Sequence, residues 1–275
     1  MTDLTSQAPA TPAPARTNDT LRSVISMVWP PLLSFVVVVT LWEWAIWHWQ
    51  VPSYLVPAPS AIWKATWFNH GSIFGEALIT MVEAAAGFAI GSFAGAVLGV
   101  VFAYSQLMSR AFLPYVIAAN TIPVVGIAPI IILWLGNGMA PKIAVTALLS
   151  FFPLALNMMK GMQSYDRIIA DVFHVAAASR WQTFWKMRLP GALPFVFVGL
   201  KLNITFAVIG AIVAEFVQAN RGLGFVIMSS YKMLNMPRLW AAMVVSAIMG
   251  VALFAVVAWL ERRLIPWHGS MREPV

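Results

Sequence analysis

Long apolar runs separated by short polar breaks fill the chain from residue 31 to residue 260. A helix needs about 20 mostly apolar residues to cross the hydrocarbon core of a bilayer. Six stretches are near or above that length, over residues 31–49, 77–103, 112–135, 143–159, 192–217 and 239–260. The pattern predicts an all-α membrane protein of about six transmembrane helices. The first span closes on Trp42, Trp44, Trp47 and Trp49, an aromatic belt for one membrane interface. Glu43 lies among them at headgroup level, where a carboxylate needs no buried partner. Ahead of the spans, "MTDLTSQAPATPAPARTNDT" is rich in Ala, Pro and Thr, so residues 1–29 read as a disordered tail. This stretch lacks the charged start and apolar run of a cleaved signal peptide. Residues 30–70 then hold the first span and an outer segment, 71–262 the transmembrane core, and 263–275 a second tail.

Charge sets the orientation. Only 10% of the residues are charged, against roughly 25% in a soluble domain. The net charge of +7 is spread along the ends of apolar segments rather than gathered in one patch, which argues for a membrane protein and against nucleic-acid binding. An even number of spans puts both termini on one side. If that side is cytoplasmic, Arg16, Arg22, Arg110, Lys160, Arg167, Arg180, Lys186, Arg188, Arg262, Arg263 and Arg272 are inside, eleven of the 17 Lys and Arg. Lys64, Lys142, Arg221, Lys232 and Arg238 are outside. Lys201 falls within a span, where it snorkels toward the cytoplasm or places a charge on a pathway. The excess of basic residues predicts cytoplasmic termini and a cytoplasmic loop over residues 160–189. With no cysteine in the chain, disulfides, thiol nucleophiles and cysteine-held metals are excluded. No Walker loop, HExxH or GxSxG motif is present.

Within the spans, Gly87, Gly91, Gly95 and Gly99 recur every fourth residue on a line that Glu83 begins. Such a stripe lets another backbone approach closely; lining a channel is the lesser alternative. Asn120, Thr121, Asn157, Asn203 and Thr205 either bond between helices or line a pathway. Pro123 and Pro129 are expected to kink the third span. Glu215, toward the outer end of the fifth, must be paired or face water. An ion pair with Arg221 or a cap on the following turn comes ahead of substrate contact. "RGLGF", residues 221–225, reads as a glycine turn into a short apolar segment rather than a phosphate cradle. A membrane-embedded enzyme would need Glu83, Glu215 and His174 to converge, whereas the layout puts both glutamates toward the outside and His174 in the cytoplasm.

The loop over residues 160–189 predicts two short helices. The first, near residues 165–176, is amphipathic through Ile168, Ile169, Val172, Phe173 and Val175. The second begins at Ser179, where Ser-Arg-Trp-Gln matches a capping box. Its Trp181, Phe184 and Trp185 share one face, Arg180, Thr183 and Lys186 lie toward the other, and Pro190 ends it. Such a knob either lies on anionic lipid or docks a partner.

The same segment resembles the coupling loop of ABC importer permeases, whose pattern is Glu-Ala-Ala, three residues, Gly, nine residues, Ile, one residue, Leu-Pro. Counted back from Leu189-Pro190, Asp171 falls on the glutamate, Val172 and Phe173 on the alanines, and Ala177 on the glycine. Alanine enters a left-handed turn at greater cost than glycine. "LPGALPFVFVGLK", "FAVIGAIVAEFV", "RGLGFVI" and "ERRLIPWHG" are similar to the nitrate, taurine and sulfonate branch, in the same order, so the resemblance spans residues 52–268. It implies an ABC type I importer transmembrane domain over residues 71–262, in the bacterial inner membrane. It implies a permease with no catalytic residue or cofactor of its own, paired with a second permease copy as a homodimer, with a heterodimer as the alternative. Two ATPase subunits carry ATP and Mg, and a periplasmic binding protein delivers the solute. Asp171, Phe173, His174, Ala177, Ser179, Arg180, Trp181, Phe184 and Lys186 would meet the ATPase, with Phe173, Trp181 and Phe184 in an apolar groove; Asn120, Asn157, Asn203 and Glu215 are pathway candidates. The fifth-span text and the scarcity of basic residues within spans favour a heterocycle, a pyrimidine precursor or a riboflavin-like solute, over taurine, alkanesulfonates or nitrate.

Overall fold

Three helices, α3 (His70–Tyr104), α6 (Met139–Gln163) and α9 (Leu189–Val217), form the centre of a computed structural model that describes residues 17–217 and 220–266. Small residues bring them together. A Cβ at Gly91 would stand 3.0 Å from Ser150 Cβ and closer still to the Ala147 carbonyl oxygen. Gly87, Gly95 and Gly99 meet α6 in the same way, while Gly199 and Gly210 of α9 press on its other side at Leu154 and Thr146. Lipid tails are as apolar as leucine, so close packing rather than hydrophobic burial drives this association. Ala84, Ala155, Ala207 and Ala211 are fully covered, alongside larger side chains such as Ile73, Phe102 and Met162, whereas Phe93, Leu133 and Trp134 face outward.

Around this centre, α11 (Met236–Leu264) packs on α9 and on the short α10 (Leu223–Lys232). The first span, α1 (Thr17–His48), joins through α2 (Pro59–Phe68) and through Trp42, whose ring stands edge-on to Trp240 at 5.1 Å. Five helices are long and apolar enough to cross a membrane, and six spans result if one bent pair is counted as one.

That bent pair corrects the third span. In place of one kinked helix, α4 (Gln106–Asn120) and α5 (Val124–Leu135) meet at 100°. Pro123 is the N-cap of α5 and disfavours helical backbone at Ile122, so the chain leaves one helix before entering the next. Pro129 lies inside α5.

Other expectations also change. The backbone is helical from Thr17, inside the stretch read as tail; the apolar spacing of Leu21, Val24, Ile25 and Val28 suits a helix, which the Ala/Pro-rich start had obscured. Residues 1–16 and 267–275 lie outside the described residues. Glu43 has no need of a buried partner but makes an exposed contact: its carboxylate accepts the Ser60 N–H at 3.0 Å and the Ser60 hydroxyl at 2.8 Å, in the first turn of α2. Lys201 pairs with Glu261, near the end of α11, at 2.5 Å. Lys142 belongs to α6 and is buried, not in an outer loop.

Candidate functional site

At one end of the core the chain builds the expected pair of short helices. Asp166 opens α7 (Arg167–Val175) by accepting the Ile168 N–H at 2.9 Å. Ser179 opens α8 (Arg180–Thr183) with both halves of the capping box in place: the Gln182 N–H donates to Ser179 Oγ at 3.2 Å, and the Ser179 N–H to Gln182 Oε1 at 2.8 Å. Between the helices Ala177 takes a φ of +51°, the left-handed turn that a glycine would enter more cheaply.

Pro190 does not end the second helix. A π turn, Phe184–Arg188, follows α8 and runs straight into α9, with the Leu189 N–H donating to the Phe184 carbonyl. Proline lacks an N–H, and its ring collides with the carbonyl four residues back in an α-helix. The wider π turn displaces that carbonyl and lets the helix continue. Arg180–Val217 is thus one 38-residue helical run.

The outward face of this knob differs from the expected one. Ile168, Val172, Val175, Trp181 and Trp185 are exposed, Val175 at 87% and Trp181 at 69%. Phe173 and Phe184 are half-buried. Phe184 packs inward with Met158, Met162 and Ala192, and its ring lies 6.4 Å from Tyr104, so it anchors α8 to the core. Asp171, His174, Ser179, Arg180 and Lys186 are exposed.

A polar network occupies the opposite end of the core. Glu215 Oε1 accepts the Thr80 hydroxyl at 2.7 Å and Oε2 the Gly224 N–H at 2.6 Å, while the Leu223 N–H donates to Thr80 Oγ1 at 2.8 Å. Glu76 accepts the Gly222 N–H at 2.6 Å and faces Arg221 at 3.6 Å. Gly222, with φ +106°, passes so close to the Glu215 carboxylate that a side chain there would overlap it. The first turn of α10 is therefore satisfied by the protein's own carboxylates and hydroxyl, which leaves no seat for a phosphate. Of the two roles weighed for Glu215, the cap is present; Arg221 pairs with Glu76 instead. Glu83 adjoins Glu215 and pairs with Lys142 at 2.7 Å, both side chains being almost wholly buried. His174, on α7, is at the other end. Local pattern in the sequence does not single out Lys142, Glu76 or Thr80; the one signal that could have pointed to Lys142 is Glu83 on the packed glycine line, since a buried carboxylate needs a cation.

The span asparagines are dispersed. Asn203 is buried and donates to Ser92 at 2.9 Å, and its carbonyl oxygen Oδ1 has no donor among the described residues. Asn157 donates to the Pro153 carbonyl at 2.8 Å, and Asn120 is exposed at the end of α4.

The apolar helical core with its projecting knob is a multi-pass membrane architecture. The chain belongs to the family of binding-protein-dependent transport system inner membrane components, which it matches over residues 87–266. It is thus an ABC importer inner-membrane permease. It is 33% identical to the formylaminopyrimidine transport permease protein ThiX of Halalkalibacterium halodurans, over 86% of this chain and 95% of that protein. It is 29% identical to the riboflavin transport system permease protein RibX of Chloroflexus aurantiacus, over 93% and 97%. A solved amino acid ABC transporter with histidines shares the fold, with a TM-score of 0.57 at 15% identity, over 71% of this chain and 95% of that one.

Proposed function

We propose that this permease forms the pathway of an ATP-driven importer and docks a separate ATPase through α7 and α8, with both termini cytoplasmic. The observation that carries the docking is the apolar face of Val172, Val175, Trp181 and Trp185, held outward on two capped helices, the second of which is continuous with a central span. Two copies of the chain would enclose the path, two ATPase subunits would carry ATP and Mg, and a periplasmic binding protein would deliver the solute. The proposed solute is a heterocycle of the pyrimidine-precursor or riboflavin-like class, supported by near full-length similarity to permeases named for such compounds.

Trp181→Asp tests the docking. A charge buried in an apolar groove costs at least about 3 kcal/mol, which weakens association more than hundredfold. Trp181 is exposed in the permease alone, so the spans should still fold. The expected result is loss of ATPase co-purification and of substrate-stimulated hydrolysis in liposomes. Normal association and stimulation would instead make α8 an interfacial helix on lipid. The solute is tested by thermal shift of the cognate binding protein; a response to nitrate alone overturns the heterocycle.

A further inference from the structure

We infer that the cavity beneath α8 binds the phosphodiester of an anionic glycerophospholipid. The cavity has a volume of about 330 Å³ and is lined by Tyr104, Ala178, Arg180, Thr183 and Arg188. The Arg188 guanidinium carbon lies 4.7 Å from the centre of the Tyr104 ring and 4.9 Å from that of Tyr165. These rings hold the cation in place without supplying the oxygen pair that a guanidinium fork takes from a phosphate. Arg188 Nε is buried and has no acceptor, and neither Arg188 nor Arg180 forms an ion pair among the described residues. Asp166 caps α7 through one carboxylate oxygen and forms no ion pair with either arginine, and the Thr183 hydroxyl donates to the Ser179 carbonyl at 3.0 Å. Two arginines thus face one polar cavity, neither of them ion-paired among the described residues.

The place of the cavity identifies the anion. Tyr104 is the last residue of α3 and Arg188 directly precedes α9, so the cavity lies where the apolar spans end. Tyr104 and Leu107 are exposed at this end of the core, an aromatic and aliphatic pair suited to the headgroup boundary. Under the proposed orientation this is the cytoplasmic leaflet, where anionic lipids reside. The site depends on that proposal only for the leaflet, and not on ATPase docking.

Full-length permease, delipidated in neutral detergent and reloaded with equimolar phosphatidylglycerol and phosphatidylcholine, tests the assignment by mass spectrometry of the retained lipid. Phosphatidylglycerol should be retained in preference. Arg180→Gln and Arg188→Gln should each lower its retention about fivefold, the contribution of one basic residue at a charged surface, with phosphatidylcholine unchanged. Arg180 is exposed, so its variant reads the site without threatening the fold. Equal retention of phosphatidylglycerol by wild type and Arg180→Gln overturns the inference. Displacement of the lipid by excess inorganic phosphate overturns it too, in favour of a free-anion site. Because this assay contains no ATPase, failure of lipid retention and failure of docking are separate results.

Discussion

Replacing Lys142 with Met should be among the most damaging single changes in the core. Lys142 Nζ lies 2.7 Å from Glu83 Oε1, with 7% and 0% of the two side chains exposed. Glu83 Oε2 is buried without a donor among the described residues, and Glu215 adjoins Glu83. Removing the ammonium therefore leaves a carboxylate with no cation, beside a second carboxylate and out of water. Breaking such a pair from one side costs about 3–5 kcal/mol, whereas replacing both partners by apolar groups is close to neutral. At about 2–4 °C per kcal/mol for a chain of this size, Lys142→Met should lower the midpoint of thermal unfolding in detergent by at least about 6 °C. Combining it with Glu83→Met should restore most of the loss, because the double variant has no stranded charge. A fall of under about 2 °C in the single variant, or losses that simply add in the double, would refute the reasoning.

Ala177→Gly should relieve the left-handed turn by about 0.5–1 kcal/mol, read as two- to fivefold slower amide exchange across residues 177–180. Gly91→Ala, whose methyl group meets the α6 backbone, should cost about 1–3 kcal/mol in thermal unfolding. Gly75→Ala, with nothing within 4 Å, should cost nothing or gain up to about 1 kcal/mol. Glu215→Ala should strip α10 of its cap, at about 1–3 kcal/mol for the donors left unpaired. Hydrogen exchange should then quicken in α10 before it quickens in α6.

The features legible in the sequence are those written within a few residues of one another. Twenty-residue apolar runs located the spans, the fourfold glycine spacing marked the face that meets α6, and Ser179-Arg180-Trp181-Gln182 announced the start of α8. What escaped depends on partners far apart in the chain. Glu83 and Lys142 are 59 residues apart, and Thr80 and Glu215 are 135 apart, so local pattern could show a need for partners but not supply them. Proline was read too simply. Pro123 was legible as a break but not as a turn of 100°, and Pro190 is absorbed by a π turn that no local propensity distinguishes from a stop. Amphipathic spacing placed Trp181 and Phe184 on one face, but covalent continuity with α9 turns Phe184 inward and leaves Trp181 outside.

The unbroken run from Arg180 to Val217 has a mechanical consequence. Thirty-eight residues at 1.5 Å each make a rod about 57 Å long, gripped along its length by α6 at Ala192, Gly199 and Gly210. A tilt of about 10° around its midpoint would carry each end about 5 Å in opposite directions. At the far end the rod is pinned by Glu215 to Thr80 of α3 and to the first turn of α10, so those elements must travel with it or let go. A push on two tryptophans at one end therefore reaches the carboxylates at the other through one continuous helix, whose softer joints, the π turn and Pro194, both lie near the pushed end.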